Sequence, residues 1–192
     1  DGYAYTWEVD RTWRKTRKPT TNLLCNGADP NRNWDVNWGQ YGSSSNPCSN
    51  GYHGDYVFSE PETLQLAQFV NLIPDLFAYI SFHSFGQLLM TPYAFTRNAS
   101  VENDLLVDIG QISVQNLSTV HGREYRVGSI NDFFGNVAGS SVDYVALTKT
   151  PKIVYCYELN NNHILPPEEI QSTGQEIFVS LMTIFTETVN RG

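Results

Sequence analysis

Long apolar runs and basic residues are both scarce in this sequence. Its longest apolar runs are far too short to span a bilayer, which argues against a transmembrane segment. Lysine and arginine together number only 12 and the net charge is −8, so we expect neither nucleic acid nor an anionic membrane as a partner. Internal repeats and low-complexity tracts are absent as well, which leaves an ordinary globular protein.

Predicted helices and predicted strands alternate along the chain. A length of 192 residues suits one domain with a sizeable core. Stretches with helical spacing alternate with short runs of β-branched and aromatic residues, and this alternation predicts the α/β class. Residues 19–58 are long and irregular in pattern, and a loop of that length in a compact domain is usually functional or cross-linked.

The three cysteines fall into two kinds of sequence. Cys25 and Cys48 lie in loop-like sequence and could close one loop, whereas Cys156 lies in an apolar strand, where a cysteine is usually a small buried hydrophobe. Two glycosylation sequons, at Asn98 and Asn116, fit an oxidising secretory route. We therefore predict a secreted glycoprotein with one disulfide bond.

One apolar strand carries an unexpected acid. Residues 152–159 have the β-branched and aromatic composition of a buried strand, yet Glu158 lies near its end. Side chains alternate along a strand, so Cys156 and Glu158 should share one face while Tyr155 and Tyr157 share the other. A buried acid is costly unless the protein uses it, so Glu158 is a candidate functional residue.

A second strand ends in a comparable way. Residues 77–84 form an apolar run in which His83 lies near the end. Ligands of α/β proteins bind at the carboxyl ends of strands, and we predict that His83 and Glu158 face one crevice there.

The remaining elements are predicted from capping residues and periodicity. Ser59 is expected to cap a helix with Pro61 in its first turn, and residues 1–5 resemble a strand. Apart from Arg14, most basic residues of 7–18 are expected in a solvated loop. Further helices are predicted at 101–120, from 139 and from 166, and further strands near 88–93 and 125–130.

Taken together, the candidate residues Arg14, Asn31, Arg32, His83 and Glu158 lie in sequence blocks that resemble the zinc metallocarboxypeptidases of the carboxypeptidase A/B type. The similarity runs the whole length of the chain and implies a mixed β-sheet flanked by helices. The matching blocks are Asp1-Gly2-Tyr3, Trp13-Arg14-Lys15-Thr16-Arg17, Asp29-x-Asn31-Arg32-Asn33-Trp34, Tyr52-His53-Gly54, His83-Ser84-x-x-Gln87, Gly128-Ser129-Ile130 and Tyr157-Glu158-Leu159.

The resemblance implies a role for each of these residues. His83 would be a zinc ligand, and Glu158 would be the general base for the zinc-bound water and then the proton donor to the leaving amine. Arg14 would stabilise the oxyanion that forms on the scissile carbonyl. Asn31 and Arg32 would bind the terminal carboxylate of a peptide or protein substrate, which makes the expected activity that of an exopeptidase.

The resemblance also implies the surroundings of these groups. Asp29 would accept a hydrogen bond from a zinc-bound histidine and so orient its ring. Val142 occupies the position at the floor of the specificity pocket, where an aliphatic residue implies hydrophobic or aromatic C-terminal residues in the substrate. Cys156 would line the same pocket.

Two features depart from the family pattern. The family's zinc site also needs a His-x-x-Glu pair, which the resemblance places upstream of Asp1, so residues 1–192 would be roughly the last two thirds of one catalytic domain. The His-x-x-Glu at 121–124 is expected at the surface instead. The tyrosine that caps the family's bound substrate is replaced by Gly135, although Phe134 could cover the pocket, and Phe85 replaces a subsite tyrosine.

These observations leave two hypotheses for the function. In the first, the chain is the larger part of a zinc carboxypeptidase. In the second, it is a non-catalytic relative that binds peptide C-termini without cutting them. The changes at Phe85 and Gly135 favour the second hypothesis, whereas the retention of Arg14, His83 and Glu158 favours the first.

Overall fold

A four-stranded mixed sheet forms the centre of the protein. We describe a computed structural model that covers residues 1–22, 24–98 and 103–191. The strands are β1 (Ala78–Ser84), β2 (Leu88–Thr91), β3 (Arg126–Ser129) and β4 (Ile153–Leu159), and their order across the sheet is β1-β4-β2-β3. Strand β4 is parallel to β1 and antiparallel to β2, which in turn is parallel to β3.

Six α-helices surround this sheet in the described residues. The predicted α/β class and mixed sheet are therefore confirmed, and so are the two strands on which the site prediction depends. The helices are α1 (Gly2–Glu8), α2 (Pro61–Leu72), α3 (Asn103–His121), α4 (Ile130–Phe134), α5 (Ser141–Lys149) and α6 (Glu169–Arg191), and a 3-10 turn spans Pro30–Arg32. The predicted helix at 101–120 begins in residues outside those described, and the described part of it runs to His121.

Strand β4 separates two cores because its side chains alternate. Ile153, Tyr155 and Tyr157 are fully buried against α3 and α6. On that side, the Tyr157 hydroxyl and Ser180 Oγ are 2.7 Å apart, which ties the strand to α6. Val154 and Cys156 point to the opposite side, where they pack with side chains of β2 and α5. The predicted division of β4 into two faces is therefore confirmed.

The long irregular segment is held to the rest of the molecule by a cross-link. Cys25 and Cys48 form a disulfide bond across a sequence separation of 23 residues, as predicted, and Cys156 is a free, buried thiol. In the chain-entropy model, closing a loop of that length stabilises the folded state by about 3 kcal/mol. The segment carries the Pro30–Arg32 turn, so this bond also restricts residues of the candidate site.

The first residues of the chain form helix α1, so the strand predicted for residues 1–5 is wrong. The Tyr5 ring packs edge-on against Trp13 with 5.0 Å between ring centroids, and the guanidinium of Arg17 lies 3.9 Å from the Tyr5 centroid. These tertiary contacts favour the helix over the extended form that the aromatic pattern indicates.

The predicted cap of α2 is wrong by one residue. Glu60 is the N-cap residue and its side chain makes no capping hydrogen bond, while the Ser59 hydroxyl instead donates to Glu60 Oε1. Asn33, from the distant loop, holds the start of the helix, because its Oδ1 accepts hydrogen bonds from the Glu60 N–H and from Thr63 Oγ1.

The basic segment is less solvated than predicted. Lys15 is buried, with its ammonium group donating to the Pro47 carbonyl, and Lys18 donates to the Ser59 carbonyl. Lys15 thus attaches this segment to the loop at 19–58, Lys18 attaches it to the segment just before α2, and the Arg17 guanidinium lies over the rings of Tyr5 and Trp13. Among the residues described, no helix is both long and apolar enough to cross a membrane.

Candidate active site

A cavity of ≈ 740 Å³ opens at the carboxyl ends of β1 and β4. His83 and Glu158 line it, and they are direct partners in the register of these two parallel strands. Parallel partners project to the same side of a sheet, so the imidazole and the carboxylate share this cavity. The predicted crevice therefore exists, and the other predicted site residues can be placed relative to it.

Two arginines form one wall of the cavity. Arg14 Nε donates to Asp29 Oδ2 over 2.8 Å, and the guanidinium of Arg32 approaches the same oxygen at 4.0 Å. Arg32 is also fixed by its own acceptors, because its Nε donates to the Gly42 carbonyl and its Nη1 to the Asn31 carbonyl. The wall is thus positively charged, and the buried carboxylate of Asp29 lies close to both of its guanidinium groups.

Asn31 adds a neutral donor to this wall. Its Oδ1 accepts a hydrogen bond from the backbone N–H of Ser141, at the start of α5. Because the oxygen is occupied in this way, the amide NH₂ of Asn31 is the part of the side chain that is available to the cavity. Asn31, Arg14 and Arg32 therefore present N–H groups to one space, which is the arrangement that a carboxylate binds.

The two titratable groups opposite this wall have shifted pKa values. Burial raises the pKa of Glu158 to about 7, although the Arg14 guanidinium acts in the opposite direction. Burial lowers the pKa of His83, and the charge of Arg14 lowers it further while Asp29 raises it. His83 Nε2 lies 2.9 Å from Ser81 Oγ. At neutral pH the carboxyl group of Glu158 can therefore both accept and release a proton.

The far end of the cavity is apolar. Val142 and Cys156 both line the cavity and pack in one apolar cluster, and burial raises the pKa of the Cys156 thiol, which keeps it protonated. The other apolar residues of this end were not predicted, because their sequence setting is ordinary; Met90 is placed here by its pairing with Cys156 in the register of β2 and β4. The residues that were not predicted are Met90, Ala94, Ile130 and Val137.

Aromatic side chains surround the mouth of the cavity. Phe85 and Phe134 are about half exposed and both line it. Gly135 ends α4 with a φ of 71°, a conformation that favours glycine, so no side chain extends from the position of the missing tyrosine. His163 also lines the mouth, 4.5 Å from Phe85 between ring centroids, and the sequence analysis did not identify it.

The described residues do not by themselves fit a zinc centre. In residues 1–22, 24–98 and 103–191, no three His, Cys, Asp or Glu side chains lie close enough together to hold a metal ion. His83 contributes one suitable ligand, whereas catalytic zinc needs three from the protein. The His-x-x-Glu at 121–124 lies elsewhere, with His121 Nε2 2.9 Å from Gln175 Oε1.

Fold and site together define a class of protein. It is an α/β protein with a cavity at the carboxyl edge of its sheet, and this cavity joins a cationic wall, an apolar end and a partly buried carboxyl group. The family model described as zinc carboxypeptidase matches residues 1–180. The chain belongs to the zinc carboxypeptidase family.

Curated relatives in insects and mammals are similar over the entire chain. Zinc carboxypeptidase A 1 of Anopheles gambiae is 46% identical, covering 100% of this chain and 46% of the relative. Zinc carboxypeptidase of Simulium vittatum is 39% identical over 100% of this chain and 65% of the relative. Carboxypeptidase A1 of Rattus norvegicus is 38% identical over 98% of this chain and 46% of the relative. The chain thus spans about half to two thirds of the length of these relatives.

Solved structures confirm the fold. Bovine thrombin-activatable fibrinolysis inhibitor, in complex with tick carboxypeptidase inhibitor, superposes with a TM-score of 0.92 and is 32% identical, covering 100% of this chain and 67% of that one. Carboxypeptidase A from Helicoverpa armigera superposes with a TM-score of 0.89 at 29% identity, covering 98% of this chain and 49% of that one.

Proposed function

We propose that residues 1–192 are the larger part of the catalytic domain of a zinc-dependent carboxypeptidase, which hydrolyses the C-terminal peptide bond of peptides or proteins. The observation that supports this function best is the single cavity that combines the guanidinium wall with Glu158 and His83. Its apolar end favours substrates with hydrophobic or aromatic C-terminal residues.

Substrate binding begins at the cationic wall. Arg32 and Asn31 bind the terminal carboxylate, because Arg32 is fixed by two backbone carbonyls and Asn31 by the N–H of Ser141. Fixed donors lose little conformational entropy when the substrate binds. The last side chain of the substrate then enters the apolar end, between Val142 and Cys156.

Glu158 carries the proton in the proposed reaction. Its pKa of about 7 lets it accept a proton from the attacking water and then release that proton to the leaving amine. Arg14 faces the same cavity and stabilises negative charge on the carbonyl oxygen. Asp29, which the resemblance places behind a zinc-bound histidine, contacts Arg14 in this structure.

The zinc of this proposal needs residues beyond those described. His83 would be one ligand, and two more are expected from sequence upstream of Asp1. His83 lies on β1, which pairs only with β4 among the described residues, so the outer side of β1 is the side from which further ligands can reach it. We therefore propose that another segment of the same catalytic domain packs beside β1.

Secretion and glycosylation remain part of the proposal. The Cys25–Cys48 bond fits an oxidising compartment. Asn98 is exposed near the end of a described segment, and Asn116 is exposed on α3, where its amide donates to Thr183 Oγ1. We propose peptide or protein C-termini as partners, and the acidic net charge supports neither nucleic acid nor an anionic membrane.

A second candidate function is binding without catalysis. It is favoured by Gly135, which has no side chain to cap a bound substrate, and by the single metal ligand among the described residues. In that case the guanidinium wall would bind C-terminal carboxylates while Glu158 would have no chemical role.

Substitution of Glu158 tests the proposed function. In the complete polypeptide loaded with zinc, we expect release of C-terminal phenylalanine from a blocked dipeptide, and Glu158→Gln should reduce kcat at least about 1,000-fold because the proton carrier is lost. The exposed Glu168 provides the matched control, and Glu168→Gln should leave kcat unchanged. Release that survives Glu158→Gln would contradict the assigned role.

The same protein distinguishes the two candidate functions. A wild-type protein that binds the free peptide acid, rejects its C-terminal amide and forms no product is the non-catalytic binder. Equal affinity for the acid and the amide would reject both functions, since each depends on the guanidinium wall.

A further inference from the structure

Asn160, the residue that directly follows β4, is buried although the next residues in the sequence are not. Three consecutive asparagines follow this strand, and of these Asn161 and Asn162 are exposed while Asn160 is only 5% exposed. Its φ is 53°, in the left-handed region, which asparagine and glycine tolerate better than other residues. A buried asparagine in this conformation, two residues after Glu158, requires a structural explanation.

The backbone carbonyl of Asn160 holds the turn between β1 and β2, which comprises residues 85–87. It accepts hydrogen bonds from the N–H of Gly86 over 2.7 Å and from the N–H of Gln87 over 3.1 Å. The last two N–H groups of the turn are therefore bound to one oxygen. The direction of this carbonyl is set by the backbone angles of Asn160, so a change of these angles would release the turn.

Two further contacts hold Asn160 in its unusual conformation. Its N–H donates to Tyr125 Oη over 3.3 Å, and its Oδ1 accepts a hydrogen bond from Thr173 Oγ1 of α6 over 3.2 Å. Thr173 Oγ1 accepts in turn from Arg123 Nη1 over 3.0 Å. The end of β4 is therefore attached both to α6 and to the segment that precedes β3.

The turn that Asn160 holds lies against Glu158 and at the mouth of the cavity. A Cβ atom placed on Gly86 would be 3.5 Å from the Cβ of Glu158, so the backbone of the turn packs against the stem of this side chain. Phe85, in the same turn, lines the mouth. Release of the turn would remove this packing, and Glu158 would then sample more rotamers.

We propose that Asn160 is a positioning residue that holds the 85–87 turn against Glu158 and so orients the carboxyl group of Glu158 toward the substrate. The inference rests on the proposed function for the task of Glu158, whereas the contacts between Asn160 and the turn do not depend on that function. Asn160 itself is not among the residues that line the cavity, so it acts through the turn.

Two substitutions of Asn160 separate the effect of its backbone conformation from that of its side chain. Asn160→Gly loses the bond to Thr173 but adopts a φ of 53° freely. Asn160→Val loses the same bond and also disfavours this φ, because its side chain is β-branched. Asn161→Val is the matched control, since Asn161 is exposed and does not have a positive φ.

The first measurement follows the turn itself in the complete, zinc-loaded polypeptide. Amide hydrogen exchange at Gly86 and Gln87, read by NMR, should be slow in the wild type, in Asn160→Gly and in Asn161→Val, and at least about tenfold faster in Asn160→Val. Exchange at Tyr155, in the middle of β4, should stay slow in all four proteins, which distinguishes release of the turn from general unfolding. Equally slow exchange of the turn in Asn160→Val would overturn the proposal.

The second measurement separates kcat from KM. Asn160→Val should lower kcat about tenfold because Glu158 is no longer held, while KM for a blocked phenylalanine dipeptide changes less than about threefold because Arg32 still binds the carboxylate. Asn160→Gly should keep kcat within about threefold of the wild type, since glycine preserves the backbone conformation. An unchanged kcat in Asn160→Val, or an equal loss in Asn160→Gly, would show that this conformation does not position Glu158.

Folding defects are controlled by a further variant. If Asn160→Val unfolds, Asn160→Ala takes its place, because alanine disfavours a positive φ without having a branched side chain. We expect both effects in the same direction, and an alanine variant that equals the glycine variant in exchange and in kcat would overturn the proposal. A wild type that releases no product would refute the proposed function, while the exchange rates would still decide whether Asn160 holds the turn.

Discussion

At the scale of single residues, Asp143 is a buried acid next in sequence to Val142, which lines the cavity. Asp143 is fully buried at the start of α5, and its carboxylate accepts hydrogen bonds from the backbone N–H groups of Ala94 and Phe95. Burial raises the pKa of Asp143 to about 6, with the hydrogen bonds opposing the shift. This residue therefore connects the loop that carries Ala94, a lining residue of the apolar end, to α5.

We predict that Asp143 makes the protein less stable as the pH rises. A pKa raised in the folded state means that the stabilisation is complete below about pH 4 and is lost as the pH rises through about 6. The shift of about two units corresponds to about 3 kcal/mol. Urea unfolding of the wild type and of Asp143→Asn at several pH values should show that the variant lacks this part of the decline.

The exposed carboxylate of Asp132 provides the control for this prediction. Asp132 accepts hydrogen bonds from the N–H and the hydroxyl of Ser129 at the surface, and Asp132→Asn should keep the pH dependence of the wild type between pH 4 and 7. Parallel curves for the wild type and Asp143→Asn would show that Asp143 titrates at its ordinary pKa.

The sequence identified the residues of the site that have an unusual local setting. Glu158 and His83 were found because a charged or titratable group at the end of an apolar strand requires an explanation. Met90 and His163 were missed for opposite reasons. Met90 is an ordinary apolar residue whose place is set by strand register, and His163 lies in a loop whose path depends on packing with Phe85.

At the scale of elements, an ion pair joins α6 to the turn before β3. Arg123 donates to Glu176, which is fully buried, over 2.8 Å, and to Glu169 over 3.0 Å. Helix α6 covers the core face of β4, so this pair fixes one end of the helix that supports the strand carrying Glu158.

We predict that Arg123→Ala destabilises the protein by about 3 kcal/mol, because it leaves the carboxylate of Glu176 buried without its partner. The matched control is Arg191→Ala on the same helix, which removes a partly exposed pair with Glu187 and should cost less than about 1 kcal/mol. Denaturant unfolding measures both values. Similar costs for the two variants would show that the Glu176 pair is not effectively buried.

The elements themselves were predictable where local signals and packing agree. Strand β4 followed from its composition, and a helix was predicted from 139; in the structure Ser140 caps α5 by accepting the Asp143 N–H. Helix α1 did not, because its form depends on ring contacts with Trp13 and Arg17. The cap of α2 was misplaced for a similar reason, since the Glu60 N–H at its start donates to Asn33 in a distant loop.

At the scale of the whole molecule, β1 is the element that the described residues leave incomplete. Among the residues described it pairs with β4 alone, and Phe82 within it and Phe77 just before it are more than two fifths exposed. Sheet edges with exposed apolar side chains are normally covered, and parallel strands in particular are usually buried. The same strand carries His83, the proposed zinc ligand, so in the described residues this ligand lies on the strand whose outer edge is unpaired.

We therefore predict that zinc affinity depends on residues that pack against β1. Residues 1–192 alone should bind zinc at least about 100-fold more weakly than a polypeptide of the length of the relatives, because a single imidazole cannot replace three ligands. Competition with a zinc-sensitive dye measures both affinities. In the longer polypeptide, His83→Ala should abolish tight binding while His163→Ala, at the mouth of the cavity, should preserve it. Tight zinc binding by residues 1–192 would instead mean that the chain completes the site by itself, and β1 would then need no further segment beside it.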